Sequence, residues 1–555
     1  MIEQPESSTK PAIGSWEGRP AGMPSAVPPP SVPLSFFVAA SVGLVACGAT
    51  FVWAGSTGIT DPTADRIVAA AHLAVLATLS MGVLGAMHQF TPVITQRSLR
   101  SVGLARATLV SWFAASLLLP LGVATRHEGL VEAGGGLAAL AITLLVVNLS
   151  APLAARGKGA PVTGLRFALG GFVVTACFGV TYVADRSGKW FNLSGHILLA
   201  HAVIGLFAWL GLTYVSVAEK LWPMFFLAHV PGRHRAGWVA VWAVPAGTVL
   251  LSPGLLFGLP GLAWCGASIL AVGLGAHLIS LVVHVRHRRR KADLHLVFVA
   301  SSAIWLLVGA GLALAGFVVM PAHHHSGVML VASAVAALGG WILETLVGHA
   351  HKVVPFIVWS ALRSRGINKS REGKPLMFAD LYGHAWAAVA YGLVTAGIGA
   401  VCIGFGASLP GALALGGGLL AAAGIVLALN LSVRPIAMLS RGAIALRTTA
   451  VPEGKANEQD AGEGTAAAAE GVTPSSLAVG SSRSQRRTLR LYAGCISGCR
   501  ECRLGSRSRR AHRSGGKGLP TGQMPSLGPD LDRTLWWARS PIRTGSITQE
   551  GHRTC

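Results

Sequence analysis

Twelve apolar stretches, each about as long as a bilayer is thick, constrain this chain more than any other feature. They run at about 34–54, 67–93, 102–124, 130–154, 165–184, 194–227, 238–258, 261–285, 294–320, 328–358, 382–407 and 409–431. A helix needs about 20 mostly apolar residues to cross the hydrocarbon core. The sixth and tenth stretches are longer, so they tilt or extend past the bilayer. Composition agrees: 52% of the 555 residues are hydrophobic and only 12% are charged, where a soluble domain is about 25% charged. The sequence therefore predicts an all-α polytopic membrane protein with about 12 transmembrane helices.

Loop charges test the count, because cytoplasmic loops collect Lys and Arg. With the N-terminus inside, inner loops carry Arg97, Arg100, Arg156, Lys158, Arg233, Arg235, Arg286, Arg288, Arg289, Arg290, Lys291, Arg363, Arg365, Lys369, Arg371 and Lys374. Outer loops carry only Arg66, Arg126, Arg186 and Lys189. A missed or invented helix would scramble this alternation. The expected location is the inner (cytoplasmic) membrane, with both termini cytoplasmic and the lipid bilayer as the principal partner.

Three domains follow. Residues 1–33 are Pro-rich and polar, without the charged lead and short apolar run of a cleavable signal peptide, and read as disordered. Residues 34–447 are the twelve-helix transmembrane domain. Residues 448–555 open on the low-complexity "VPEGKANEQDAGEGTAAAAEGVTPSS" and continue Arg-, Ser- and Gly-rich with no helical period. They read as a disordered basic tail or as the product of a shifted reading frame. Residues 480–555 hold 15 Lys and Arg against 4 Asp and Glu. That charge suits anionic lipid or nucleic acid, but the plainer reading is a solvated end with no nucleic-acid partner. Cys495, Cys499 and Cys502 fall at an iron–sulfur-like spacing in this tail, and chance explains them better. Cys47, Cys177, Cys265 and Cys402 lie in apolar stretches, where free Cys behaves as a small hydrophobe.

A repeat runs through the helices. The second span ends "GAMHQFTPVI", the sixth "VAEKLWPMFF" and the tenth "GHAHKVVPFI". Their prolines are Pro92, Pro223 and Pro355. Three residues earlier stand Gln89, Lys220 and Lys352, and four earlier His88, Glu219 and His351. Copies four helices apart imply three pseudo-repeats of four helices.

The opposite ends of two copies also correspond. His72 lies 20 residues before its proline and His201 lies 22 before its own. Two histidines at one depth on packed helices can hold a haem or metal between them. The alternative is a histidine hydrogen-bonded to a neighbouring helix. The repetition favours ligation.

Twelve helices in three fours, with histidines near the outer ends of helices two, six and ten, resemble subunit I of the haem–copper oxidases. "AHAVIGLFAW" on helix six and "HHHSG" before helix ten are similar to stretches of the cbb-type enzymes. The resemblance spans residues 34–431. It implies His72 and His325 as axial ligands of a low-spin haem b and His323 as a high-spin-haem ligand. It further implies a copper ion at His201, with His196 as a second metal ligand. It also implies a cytochrome c or cupredoxin-type electron donor and other oxidase-like subunits. Helix seven holds no histidine, which leaves the copper site incomplete. Tyr214 stands too far beyond His201 for the family's cross-linked His–Tyr pair.

A second polar layer lies at the inner ends: His88, Glu219, His349 and His351, with His277, His284, His287, His295 and His384 on other helices. It reads as a second metal or haem site, as a proton entry path, or as groups snorkelling to the interface. The last reading is preferred for His284, His287 and His295. Glu344 is an isolated carboxyl well inside helix ten. It needs a partner or a proton, with His88 or Lys352 the expected partner. Two functions remain in play. One is a haem-binding protein for electron transfer or for binding O2 or NO, an oxidoreductase of the oxidase or nitric oxide reductase type if it is an enzyme. The other is a non-redox transporter or a metal or proton carrier on the same scaffold.

Overall fold

The computed structural model describes residues 27–154, 159–188, 196–230, 235–319, 325–369, 374–435 and 437–438. The chain divides into two compact units. All twelve helices belong to one, and the other, Ala450–Pro529, lies outside the described residues with the rest of the tail. Residues 1–26, the greater part of the Pro-rich N-terminus, lie outside them as well.

Among the described residues, twelve helices are long and apolar enough to cross a membrane: α1 Ser31–Ser56, α2 Asp65–Thr95, α3 Val102–Thr125, α4 Glu128–Leu153, α5 Ala160–Ala184, α6 Ile197–Phe226, α7 Ala236–Leu256, α8 Pro260–Arg286, α9 Leu294–Phe317, α10 Gly327–Arg363, α11 His384–Gly406 and α12 Pro410–Val433. The protein is an all-α, multi-pass membrane protein. Local chemistry sets several boundaries. Ser101 caps α3, its hydroxyl accepting from the Gly103 and Leu104 amides. Pro260 and Pro410 open α8 and α12, where a missing N–H costs nothing.

Packing follows the sequence repeat. The first helix of each four lies along the second: α1 on α2, α5 on α6, α9 on α10. The third and fourth form hairpins, α3 with α4, α7 with α8 and α11 with α12, and α12 also packs along α1. Lipid supplies no hydrophobic force between helices, so close approach depends on small residues. Gly48 and Gly417 bring the α1 and α12 backbones together: a Cβ on either would meet the other's carbonyl oxygen at 2.4 and 2.6 Å.

α2, α6 and α10 are the most buried helices. Trp209 Nε1 of α6 donates to Ser80 Oγ of α2 at 3.0 Å. Gly211 of α6 faces the Trp341 ring of α10, and Gly82 of α2 faces Leu346 of α10. Each of the three helices also changes winding at the same place. π-Helix occupies Leu73–Ser80, Ile204–Gly211 and Ala336–Leu343, followed by α-helix through the repeated proline. Counted from Pro92, Pro223 and Pro355, all three π segments start nineteen residues earlier. Long π segments are rare and tend to mark functional regions. Their recurrence fixes the register of the three repeats.

Candidate functional site

That register relocates the outer histidines. The positions equivalent to His72 are Val203 and Val335, so His201 stands two residues outside the repeat. His201 nevertheless lies within electrostatic reach of His72. His72 Nδ1 pairs with the Val68 carbonyl at 2.8 Å. An Nδ1–H donated to a backbone carbonyl fixes the tautomer and leaves the Nε2 lone pair for a ligand. The His201 ring is tied to the Thr175 carbonyl of α5, and its buried Nδ1 has no close hydrogen-bond partner. Its ring lies over Gly179 of α5, where a Cβ would come within 3.2 Å of Cε1.

An aromatic layer lies beside the π segments of α2 and α6. Trp112 of α3 donates through Nε1 to the Leu76 carbonyl, inside the π segment of α2, at 3.0 Å. Phe172 of α5 stacks on Trp209 at 3.9 Å with 9° between the planes, and Trp112 meets Phe172 edge-on at 5.3 Å.

The other outer residues are placed differently. His325 opens the helix His325–Val335, ten residues outward of the position equivalent to His72. At 1.5 Å per residue that separation is roughly 15 Å of depth. The side chains of His325 and His196 lie outside the described residues, as does His323 entirely.

The inner layer does not form one ring. His88 and His351 are buried, at 0% and 3% exposed. Each pairs Nδ1 with the carbonyl four residues back, Leu84 or Val347, at 2.8 Å. Each lies against a phenylalanine from the first helix of its own unit, Phe36 or Phe298, with 21° between the planes. Both Nε2 atoms are without a partner. Glu219, the third copy, instead accepts from Ser280 Oγ of α8 at 2.6 Å and lies against Gly237 of α7. The three repeated groups therefore face three separate four-helix surroundings.

A distinct cluster joins α6, α8, α9 and α10. His349 meets His295 at 4.8 Å and Tyr214 at 5.7 Å between ring centroids, and Tyr214 meets His277 at 5.0 Å. Trp222 closes on His277 at 4.9 Å. His349 Nε2, His277 Nδ1 and both His295 nitrogens are buried and unpartnered. His284 and His295 are buried, at 4% and 3% exposed, and do not snorkel to the interface as the sequence suggests. His284 lies in the last turn of α8 and His295 in the first turn of α9, but neighbouring helices cover them. His287 is exposed, as expected.

Glu344 pairs with neither expected partner. Its Oε1 accepts from Thr395 Oγ1 of α11 at 2.6 Å and Trp305 Nε1 of α9 at 3.1 Å. Lys352 instead pairs with Asp293, which precedes α9. Outside the spans, Tyr382 lies over His351, and burial, reinforced by the Asp293 carboxylate, raises its hydroxyl above the usual tyrosine value. The sequence offered no signal for the Trp305 and Thr395 donors, which come from other helices.

Among the described residues, no three His, Cys, Asp or Glu side chains converge on a point a metal ion could occupy. No protein-family model matches the chain, and no curated protein does.

Proposed function

We propose that this membrane protein, which resembles haem–copper oxidase subunit I, binds a b-type haem between His72 and His201 at the outer ends of α2 and α6, a pairing that departs from the His72–His325 pair the resemblance implies. The observation that carries the reading is the proximity of these two histidines: His72 has a fixed tautomer with Nε2 free, and the charge of His72 is felt at His201, which the Thr175 carbonyl holds on α5. His325, far outward of His72 along its helix, is not needed for this pair. Gly179 packs against the His201 ring, and a buried, apolar setting is one of the levers that tune haem potential. A haem bound there would supply one-electron transfer. The chain's own part is to orient His72 through Val68, to hold His201 on α5, and to exclude water. Copper is not part of the proposal, because among the described residues no convergent ligand set supports it.

In this reading the protein lies in the inner membrane with both termini cytoplasmic. It takes electrons from a cytochrome c or cupredoxin-type donor and works beside other oxidase-like subunits. The test is haem content. Protein from haem-supplied cells carries stoichiometric b-haem. His72→Ala loses it with helicity unchanged, whereas His201→Ala leaves an iron that binds CO. Haem-free wild-type protein contradicts the proposal. A second reading, a proton or metal carrier, is favoured by the His277–Tyr214–His349–His295 cluster, and its sign is flux without a chromophore.

A further inference from the structure

Glu344 lies near the midpoint of α10 and is 0% exposed. It is the first residue after the π segment Ala336–Leu343, and its repeat equivalents are Met81 and Leu212. The scaffold therefore does not require a carboxyl at this position. Both hydrogen bonds it accepts, from Thr395 and Trp305, fall on Oε1. Oε2 is buried and accepts no close hydrogen bond. The Ser301 hydroxyl of α9 is a further hydrogen-bond partner within reach of the carboxyl.

The ion pairs among the described residues are Arg126–Asp65, Arg290–Asp293 and Lys352–Asp293, so Glu344 is in none of them. The titratable groups on the elements around it are His349 and His351 on its own helix, His295 on α9, Tyr391 on α11, one turn before Thr395, and Tyr214 on α6, whose ring meets Trp341 at 6.1 Å. None is a permanent cation. An ionised carboxylate buried without a counter-charge is among the costliest arrangements in a protein, more so in hydrocarbon. A neutral acid fits this setting: its carbonyl oxygen accepts from Thr395 and Trp305, and its hydroxyl oxygen carries hydrogen, with the Ser301 hydroxyl within reach as a partner.

We propose that Glu344 is a mid-membrane proton-binding site, a neutral carboxylic acid with its proton on Oε2 and its carbonyl oxygen held by Thr395 and Trp305. The proton arrives from the end of α10 that carries Pro355. His349 stands five residues along α10 in that direction, and His295, its ring neighbour, lies in the first turn of α9. The unpartnered nitrogens of both can accept and release a proton. This inference does not rest on the outer histidine pair.

Infrared spectroscopy of the protein in lipid vesicles tests it. At neutral pH the wild type shows the carbonyl band of a protonated carboxyl that shifts in D2O and is absent from Glu344→Gln. Thr395→Val retains the band and moves it to higher frequency, because the carbonyl loses a donor. Wild-type and Glu344→Gln spectra identical in this region overturn the proposal. So does a band that disappears when sodium replaces choline, the behaviour of a cation site. Should Glu344→Gln fail to fold, Thr395→Val decides alone, and an unshifted band overturns the proposal.

Discussion

His351 stacks on Phe298, with ring centroids 5.7 Å apart and 21° between the planes. His88 repeats the arrangement on Phe36 at 5.2 Å, again at 21°. Two units have kept one histidine–phenylalanine pair on helices eight positions apart in the chain order. Ring pairs of this kind contribute about 0.5–1.5 kcal/mol beyond area burial. A double-mutant cycle of Phe298→Leu with His351→Leu, read by unfolding in mixed micelles, therefore returns a coupling of about 1 kcal/mol. The same cycle between Phe298 and His88, which do not touch, returns none.

Gly348 lets α9 approach α10, since a Cβ there would stand 2.5 Å from Phe298 Cβ, an atom that cannot swing away. Gly348→Ala forces the helices apart and costs about 1–3 kcal/mol. At Gly392 of α11 nothing lies within 4 Å of an added Cβ, so Gly392→Ala is neutral or stabilising. Thermal unfolding of the two variants side by side measures the difference.

The Lys352–Asp293 pair is lopsided, with side chains 7% and 35% exposed. Removing the carboxylate strands a buried ammonium, while removing the ammonium leaves a carboxylate that water reaches. Asp293→Asn therefore costs the more, about 3 kcal/mol, the low end for a buried charge left alone. Lys352→Met costs less. Equal losses in a chemical unfolding series contradict this asymmetry.

Ser80 is the acceptor for Trp209 Nε1 across α2 and α6. Ser80→Ala leaves that buried N–H unmet, at a cost of about 1–3 kcal/mol. Pairing Ser80→Ala with Trp209→Phe removes donor and acceptor together and recovers part of the loss.

The fold was legible because lipid imposes a simple rule: an apolar run of bilayer length must be a helix that satisfies its own backbone. The repeat was legible through Pro92, Pro223 and Pro355, which stand at equal distances from His88, Glu219 and His351. What those groups face was not, because helices that are apolar on every side carry no amphipathic mark of orientation. Hence His88, Glu219 and His351 repeat without converging. The π segments were equally invisible, and without them His201 passes for the equivalent of His72, although the shared register assigns that place to Val203. Glu344 was rightly singled out as a buried carboxyl, but its donors Trp305 and Thr395 lie 39 and 51 residues away in sequence.

The central claim is that His72 and His201 hold a haem, and a dithionite-reduced minus oxidised spectrum of the detergent-purified protein tests it most directly. The account predicts the sharp α-band of a six-coordinate b-type haem, abolished by His72→Ala and preserved by His351→Ala. A spectrum without a Soret band, from cells supplied with haem, or a band indifferent to His72→Ala, contradicts it.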